Sequence, residues 1–339
     1  MATLMEIAKK ASVSVATVSR VLNCDASMSV SQDTRMRILK IAEDLEYVTV
    51  RERKISEKKD ELVFGILDWY GEDEMLDDPY YLYLMTTVER SCSSENINIV
   101  KIRKDASGNF VFADSQLDGV IAIGRFSDKE IKTLSEVTEN IVFVDSSPYE
   151  KKYPSVSPNH RMGITEALEY LIDLGHERIG YIGAVGTGNY KEVIVDYKKK
   201  LFFNEILNNH NIYNAKYDFI GKSRSSSEGY NLMKEAINSG DVPTAFFIAN
   251  DTMATGALRA VLEANFSVPG DISIVGYNDL ATSKYLSPPL TSVKIPIGFM
   301  AETAVQLLRE KICNDAGYPK KILVPTELVV RESCKKIGG

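Results

Sequence analysis

Ile7-Ala8-Lys9-Lys10-Ala11-Ser12-Val13-Ser14-Val15-Ala16-Thr17-Val18-Ser19-Arg20-Val21-Leu22-Asn23 is the stretch that decides how this chain is organised. Its apolar residues keep helical spacing but fall into two stripes, Ile7, Ala8 and Ala11, then Val18, Val21 and Leu22. Ser12-Val13-Ser14 between them reads as a tight turn. Ser14 is placed to cap the second helix, its hydroxyl accepting from free backbone N–H groups of the first turn. Two short helices meeting at a steep angle, the second led by small and polar residues, make a helix-turn-helix.

In that motif the second helix lies in the major groove of DNA, its N-terminal residues against base edges. The leading residues here are Val15, Ala16 and Thr17, with Arg20 a turn later. Val15 and Ala16 offer methyl contacts, for instance to a thymine methyl. Arg20 is the one long donor and suits the edge of a guanine. Ser14, Thr17 and Ser19 can bind phosphate or a base. Spacing alone leaves a plain helical hairpin open as the alternative.

The wording of Val15-Ala16-Thr17-Val18-Ser19-Arg20-Val21-Leu22-Asn23 resembles the recognition-helix signature of the lactose-repressor/galactose-repressor family of bacterial regulators. The resemblance continues through Ser29-Val30-Ser31, Thr34-Arg35-Met36-Arg37-Ile38-Leu39 and Ala42-Glu43-Asp44-Leu45-Glu46-Tyr47. It implies DNA contacts from Ser14, Val15, Ala16, Thr17, Arg20, Asn23 and Ser29. A third helix follows, with Ser31 as its cap, Asp33 at the positive end of its dipole, and Ile38, Ile41, Ala42 and Leu45 as its apolar stripe.

Residues 48–60 are highly charged and read as a linker. In the family this segment becomes a hinge helix on DNA, and an apolar side chain wedges into the minor groove. This chain departs from that pattern. Thr49-Val50 replaces the usual Pro-Asn, the expected Ala-Arg-x-Leu stretch reads Arg53-Lys54-Ile55-Ser56, and the wedge leucine is missing. The expected role is phosphate contact through Arg51, Arg53, Lys54, Lys58 and Lys59. The linker and the Asp25–Ser31 stretch resemble galactose-type repressors of Gram-positive bacteria.

Charge agrees with a chain that touches DNA at one end. Residues 1–60 carry 11 basic and 9 acidic side chains, whereas the remainder carries 29 and 38. Cys24, Cys92, Cys313 and Cys334 are scattered without metal or redox spacing, so free thiols are expected. The N-terminus lacks a secretory hydrophobic core, and no apolar run is long enough to span a bilayer, which points to the cytoplasm. A length of 339 residues suggests two or three units.

From Leu62 onward short apolar strands alternate with helical stretches, the signature of parallel sheets covered on both faces. Strands are expected at Leu62–Leu67, Ile97–Val100, Gly119–Ile123, Ile141–Val144, Ile179–Ile182, Tyr217–Ile220, Ala245–Ala249, Ile272–Tyr277, Ile322–Val324 and Leu328–Val330. Helices are expected around Tyr81–Ser94, Lys129–Thr138, Ile164–Leu174, Asp196–Asn208, Ser227–Ser239, Met253–Ala264 and Phe299–Ile312. So many strands are read most economically as two doubly wound lobes. The expected fold class is α/β: an N-terminal three-helix helix-turn-helix domain (1–47), a hinge or linker (48–60) and two doubly wound lobes (61–332). The first lobe would take about 61–147 and 295–322, the second about 148–294 and 323–332.

The family resemblance returns in this half, in Asp78-Pro79-Tyr80-Tyr81, in Leu174–Gly183, and nearly verbatim in Ala249–Leu258 and Val268–Asp279. Ser287-Pro288-Pro289-Leu290-Thr291-Ser292-Val293 resembles the return to the first lobe. The resemblance implies a periplasmic-binding-protein-like pair of lobes with three crossovers, the final helix packing on the first lobe. Ligands of such sheets bind beyond the carboxyl ends of the strands. A sugar needs planar polar partners for its hydroxyl pairs and an apolar surface for its ring. At strand ends the chain offers Asp68, Trp69, Asp145, Asn250, Asp251, Asn278 and Asp279. By resemblance Asp145, Arg224, Asn250 and Asn278 fall at effector contacts, and Asp68, Tyr80 and Tyr81 are further candidates. Asp251 has an alternative as a helix cap, and Asp279 as a turn former. Two departures bear on the effector: the family's frequent Arg is replaced near Val193, and the usual Asp of the Val-x-x-Asp-Asn stretch is Pro158.

Gly183-Ala184-Val185-Gly186-Thr187-Gly188 lacks dinucleotide spacing, the three histidines (His160, His176, His210) lack metal spacing, and no nucleophile elbow or phosphate loop appears. No cofactor, metal or catalysis is expected. The partners implied are near-palindromic double-stranded operator DNA, a sugar effector such as galactose or a galactoside, and a second copy of the chain. No leucine heptads follow Arg331, which favours a homodimer over a tetramer. The alternative is a sugar-binding transport component.

Overall fold

The computed structural model describes residues 3–22, 30–45, 47, 62–69, 78–105, 108–112, 116–184, 195–313 and 318–337. The chain divides into two compact units, Met1–Leu62 and Val63–Gly339. The expected contacts Asn23, Ser29, Arg51, Arg53 and Lys54, the linker and Val193 lie outside the described residues.

The first unit contains α1 (Leu4–Ala11), α2 (Val15–Leu22) and α3 (Gln32–Asp44). Each start is fixed locally. Thr3 and Glu6 close a reciprocal capping box on α1, with Thr3 N donating to Glu6 Oε2 at 2.8 Å. Ser14 Oγ accepts from Thr17 N at 3.1 Å at the head of α2, and Ser31 Oγ accepts from Thr34 N at 3.3 Å at the head of α3. Ser12 takes a left-handed conformation, φ 53°, and turns the chain between α1 and α2. Ile7, Ala8, Ala11, Val18, Val21, Ile38 and Ala42 form the buried core that the stripes predict.

The second unit runs β1 (Val63–Asp68), α4 (Tyr80–Ser94), β2 (Asn98–Lys104), β3 (Phe110–Val111), β4 (Gly119–Ile123), α5 (Asp128–Val137), β5 (Ile141–Val144) and β6 (Ser155–Pro158). It continues through α6 (His160–Asp173), β7 (Ile179–Ala184), α7 (Val195–Asn209), β8 (Asp218–Gly221), α8 (Ser226–Asn238), β9 (Ala245–Ile248), α9 (Asp251–Glu263), β10 (Ser273–Asn278) and β11 (Thr291–Lys294). It ends with α10 (Ile297–Cys313), β12 (Lys321–Val324) and β13 (Glu327–Val329).

Two sheets result. One has the order β12-β6-β5-β4-β1-β2-β3, the other β13-β11-β10-β9-β7-β8. All pairings are parallel except β2 with β3 and β11 with β13. Fully apolar strands such as β4 and β5 are buried along their whole length, as a sheet covered on both faces requires. Helix α10 packs on β4, β5 and β6 of the first sheet. Gly119 of β4 makes room for it, since a Cβ there would lie 2.7 Å from Leu308 Cδ1.

Sheet membership corrects the expected lobe boundaries. The first lobe extends through Pro158, because β6 inserts between β5 and β12 and cannot leave that sheet. It also keeps all of β12, so the last crossover falls after Val324 rather than after 322. The chain therefore passes between lobes three times, at Asn159, at Ile295-Pro296 and at Pro325-Thr326. Strand β6 carries one apolar residue and ends in proline, and β11 reads Thr-Ser-Val-Lys. Neither stands out as a strand before its neighbours are known.

Candidate DNA-binding face and effector cleft

On α2 the core takes Val18 and Val21, which leaves the leading residues outside. Val15 is 41% exposed, Ser14, Ala16 and Arg20 are exposed, and Thr17 is half-exposed. Ser14 Oγ and Thr17 Oγ1 lie 2.8 Å apart, so the capping serine and the third helical residue present one hydroxyl pair at the helix N-terminus. All five described candidates thus share the leading, solvent-facing side of the helix. Burying Val15 or Ala16 instead would mean rotating α2 and exposing Val18 and Val21.

In the second unit, β5, β9 and β10 end around one small cavity of about 30 Å³. Asp78, Tyr80, Tyr81, Asp145 and Ile295 line it together with His160, Lys199, Arg224, Ala249, Asn250 and Asn278. Five of the six predicted effector residues therefore meet: Tyr80, Asp145, Arg224, Asn250 and Asn278. The sixth, Asp68, is the last residue of β1. Asp145 (φ 62°), just after β5, and Asn278 (φ 105°), the last residue of β10, hold a left-handed backbone that non-glycine residues rarely adopt. Such strain persists where surrounding structure enforces it, commonly at binding sites.

Polar groups of the cavity are mostly tied to one another. Tyr81 donates its hydroxyl to Asp145 Oδ2 at 2.6 Å. Asn250 Oδ1 caps α9 by accepting from Met253 N at 2.8 Å. Its Nδ2 donates across the lobes to Asp78 Oδ2 at 3.0 Å and to the Arg224 carbonyl at 3.1 Å. The buried Lys199 ammonium donates to the Ala249 carbonyl at 2.8 Å and lies 4.0 Å from the centre of the Tyr277 ring. His160 Nδ1 and the Tyr277 hydroxyl are 2.8 Å apart. Two atoms stand out: among the described residues the Tyr80 hydroxyl and Asp145 Oδ1 are buried without a hydrogen-bond partner.

Burial sets the protonation of this lining. Desolvation raises the carboxyls of Asp78 and Asp145, against the lowering pull of Asn250 on the first and of Tyr81 on the second. Desolvation, reinforced by Lys199, holds His160 well below the ordinary histidine range, so the ring is neutral at pH 7. Its 3.8 Å approach to Asp145 is therefore not an ion pair. Aromatic surface comes from the first lobe, where Tyr81 meets Tyr80 edge-on at 4.9 Å and Trp69 at 5.9 Å. Gly124, at φ 92°, accommodates Trp69, because a Cβ would sit 1.8 Å from the indole.

Asp251, the neighbour of the cap, turns inward. Its carboxylate accepts from Leu280 N, Ser283 Oγ and Ser292 Oγ at 2.6–2.7 Å and fixes the loop after β10. Asp279 pairs with Arg331 at 2.7 Å. His176 is enclosed by Thr244, Ser273 and the Lys335 carbonyl, a support for the entry to β7. Sequence reasoning missed Lys199, His160 and the role of Asp78. Asp78 was visible inside the Asp-Pro-Tyr-Tyr motif. Lys199 is one of three successive lysines, and only the docking of α7 selects it.

A capped helix-turn-helix carried in one chain with a two-lobed α/β unit and a polar cleft defines a ligand-responsive DNA-binding regulator. Residues 3–49 match the model of bacterial regulatory proteins of the lacI family, and residues 168–334 match the periplasmic binding protein-like domain. The chain is 37% identical to the HTH-type transcriptional repressor MelR of Bacillus subtilis (strain 168), with 98% of each covered. It is 33% identical to the HTH-type transcriptional regulator GalR of Lacticaseibacillus casei, covering 98% of this chain and 99% of that one. The chain belongs to the lacI family of transcription regulators. Among solved structures, the transcriptional regulator CelR–cellobiose complex superposes with a TM-score of 0.67 at 23% identity, covering 98% of this chain and 100% of that one. The lac repressor dimer bound to operator and the anti-inducer ONPF gives 0.66 at 24%, covering 98% and 99%. At these identities the likeness establishes the fold. Among the described residues no helix is long and apolar enough to cross a membrane.

Proposed function

We propose that this chain is a cytoplasmic, homodimeric repressor of sugar-utilisation genes, released from or fixed to its operator by a sugar in the cleft. Two copies of α2 read the half-sites of a near-palindromic operator through Ser14, Val15, Ala16, Thr17 and Arg20. Asn23, Ser29, Arg51, Arg53 and Lys54 add contacts expected from the sequence. The cleft residues Asp68, Tyr80, Asp145, Arg224, Asn250 and Asn278 hold the effector, with galactose or a galactoside the first to test. Lys199 supplies the buried cation that the replacement near Val193 removes.

The observation that carries this reading is the pair of buried groups, Tyr80 OH and Asp145 Oδ1, left without a hydrogen-bond partner among the described residues, in a cavity where Tyr81, Asn250 and Lys199 are bonded. Buried polar groups are nearly always paired. A donor–acceptor hydroxyl and a carboxylate oxygen left open beside tyrosine rings suit the adjacent hydroxyls and apolar face of a sugar. A sugar changes operator affinity only by binding the DNA-competent and DNA-incompetent arrangements unequally. A transport component would have no use for the capped helix-turn-helix core.

The test is operator binding by the full chain with and without galactose, melibiose, lactose and glucose, for wild type and Asn278→Ala. A sugar that shifts wild-type affinity five- to 150-fold, with no shift in the variant, is the expected result. A variant that binds operator and responds like wild type would overturn the cleft assignment.

A further inference from the structure

Asn250 is placed to hold the effector, yet both of its amide hydrogens are already in use. Nδ2 donates to Asp78 Oδ2 at 3.0 Å and to the Arg224 carbonyl at 3.1 Å, while Oδ1 accepts from Met253 N at 2.8 Å. An amide side chain has two N–H donors, so a ligand oxygen reaches Nδ2 only by displacing one of these acceptors. The Arg224 carbonyl is backbone of the same lobe as Asn250, and moves with it. Asp78 belongs to the other lobe, between β1 and α4. It is the acceptor that can leave.

Asp78 is itself held in place. Its Oδ1 accepts from Tyr80 N at 3.3 Å beside the head of α4, and it is 4% exposed, against 1% for Asn250. The bond between them therefore joins the heads of two helices, α4 and α9, from opposite lobes, out of reach of solvent. The cavity beside it, about 30 Å³, has room for a water or two. Small-molecule sites measure roughly 300–1,000 Å³, so no sugar ring enters this arrangement. The lobes must part before an effector can reach Asn250, and parting them breaks the bond to Asp78.

We infer that Asp78 is an intramolecular competitor of the effector: its carboxyl occupies the place on Asn250 that an effector hydroxyl takes, and so sets the effector concentration at which the regulator responds. The inference rests on the effector reading of the cleft and adds to it the residue that opposes binding. A ligand that needs a minor arrangement binds more weakly in proportion to how rarely that arrangement is populated. The Asp78–Asn250 bond makes the parted arrangement rarer, and its loss makes it commoner. This role is the opposite of an effector contact, whose removal weakens binding. Trp69, the single tryptophan of the chain, meets the cavity-lining Tyr81 edge-on at 5.9 Å, so its fluorescence follows the cleft without label or ligand.

The experiment compares the full chain with Asp78→Ser and Asp78→Asn. Serine keeps a hydroxyl for Tyr80 N but ends one atom short of Asn250, whereas asparagine keeps an acceptor oxygen of full reach. Far-UV circular dichroism and cooperative thermal unfolding check the fold. Acrylamide quenching of Trp69 is measured without ligand, and calorimetric titration follows with galactose, melibiose, lactose and glucose. In Asp78→Ser, Trp69 should be quenched more readily than in wild type. The sugar that binds wild type should bind this variant about two- to tenfold more tightly, the worth of one hydrogen bond, with Asp78→Asn in between. Unchanged quenching, or an affinity that stays the same or falls in Asp78→Ser, would overturn the competitor role and leave the effector reading standing. No sugar binding by any of the three proteins would overturn the effector reading and the competition with it.

Discussion

Replacing Gly256 by alanine tests how closely α8 and α9 are held. The added Cβ would stand 1.7 Å from the Ser226 carbonyl oxygen, 2.7 Å from its carbon and 2.8 Å from Tyr230 N. All three are backbone atoms, so no rotamer change relieves the contact. Non-bonded heavy atoms settle near about 3.5–4.0 Å, so the helices must separate by about 1.5–2 Å. The core beneath them, including Leu232, Met233, Met253, Ala254 and Ala257, would lose contacts as they part. Overpacking alone costs about 1–3 kcal/mol, and a forced helix shift places this case at or above the top of that range. Gly298→Ala is the matched control, because nothing lies within 4 Å of its added Cβ. There the helix should gain about 0.5–1 kcal/mol from the lost flexibility of glycine. Urea unfolding followed by far-UV circular dichroism should separate the two variants by about 4 kcal/mol. Equal midpoints would refute the idea that these helices meet backbone to backbone.

Two further outcomes follow from the sites. Arg20→Ala should lower the preference for operator over random DNA by about 1–3 kcal/mol, roughly five- to 150-fold, while thermal unfolding and sugar binding stay as in wild type. Competition between the two DNAs reads this, and an unchanged ratio would remove Arg20 from base recognition. Burial pushes the Asp251 carboxyl up to about 6, from 3.8 when unfolded. The folded chain then holds that proton more tightly, so the group's contribution is full below about 4 and is lost as pH rises through about 6. The loss amounts to at most about 3 kcal/mol. Melting temperatures of wild type and Asp251→Asn between pH 4 and 7 should therefore diverge in that direction, whereas parallel curves would sink the argument.

What the sequence reveals depends on whether the cause is local. Ser14 and Ser31 cap their helices through contacts three residues away, so both starts are readable without the fold. The convergence of Asp145, Asn250 and Asn278 is readable because parallel strands present their carboxyl ends together. Asn250 and Asp251 are different: either could cap α9, and only the distant Leu280, Ser283 and Ser292 draw Asp251 inward. Helix α6 starts at His160, four residues before its first buried isoleucine, because Asn159 caps it. That shift hid His160 from the site. Strand β11 buries Thr291 and Ser292 completely, against any hydropathy pattern, since their polar atoms are bonded to Ser333, Arg331 and Asp251.

The three passages between lobes also have a mechanical meaning. Two of them are laced together: Asn159 N donates to the Val324 carbonyl at 2.8 Å, and Thr326 Oγ1 donates to the Asn159 carbonyl at 3.2 Å. The third, at Ile295-Pro296, lines the cleft through Ile295. A body joined to another by one strand can swing in any direction, whereas three joined side by side leave little beyond rotation about a shared axis. Whatever binds between the lobes therefore acts on a single angular coordinate. Fluorophore pairs placed on α5 and α8, one per lobe, would follow that angle as ligand is added.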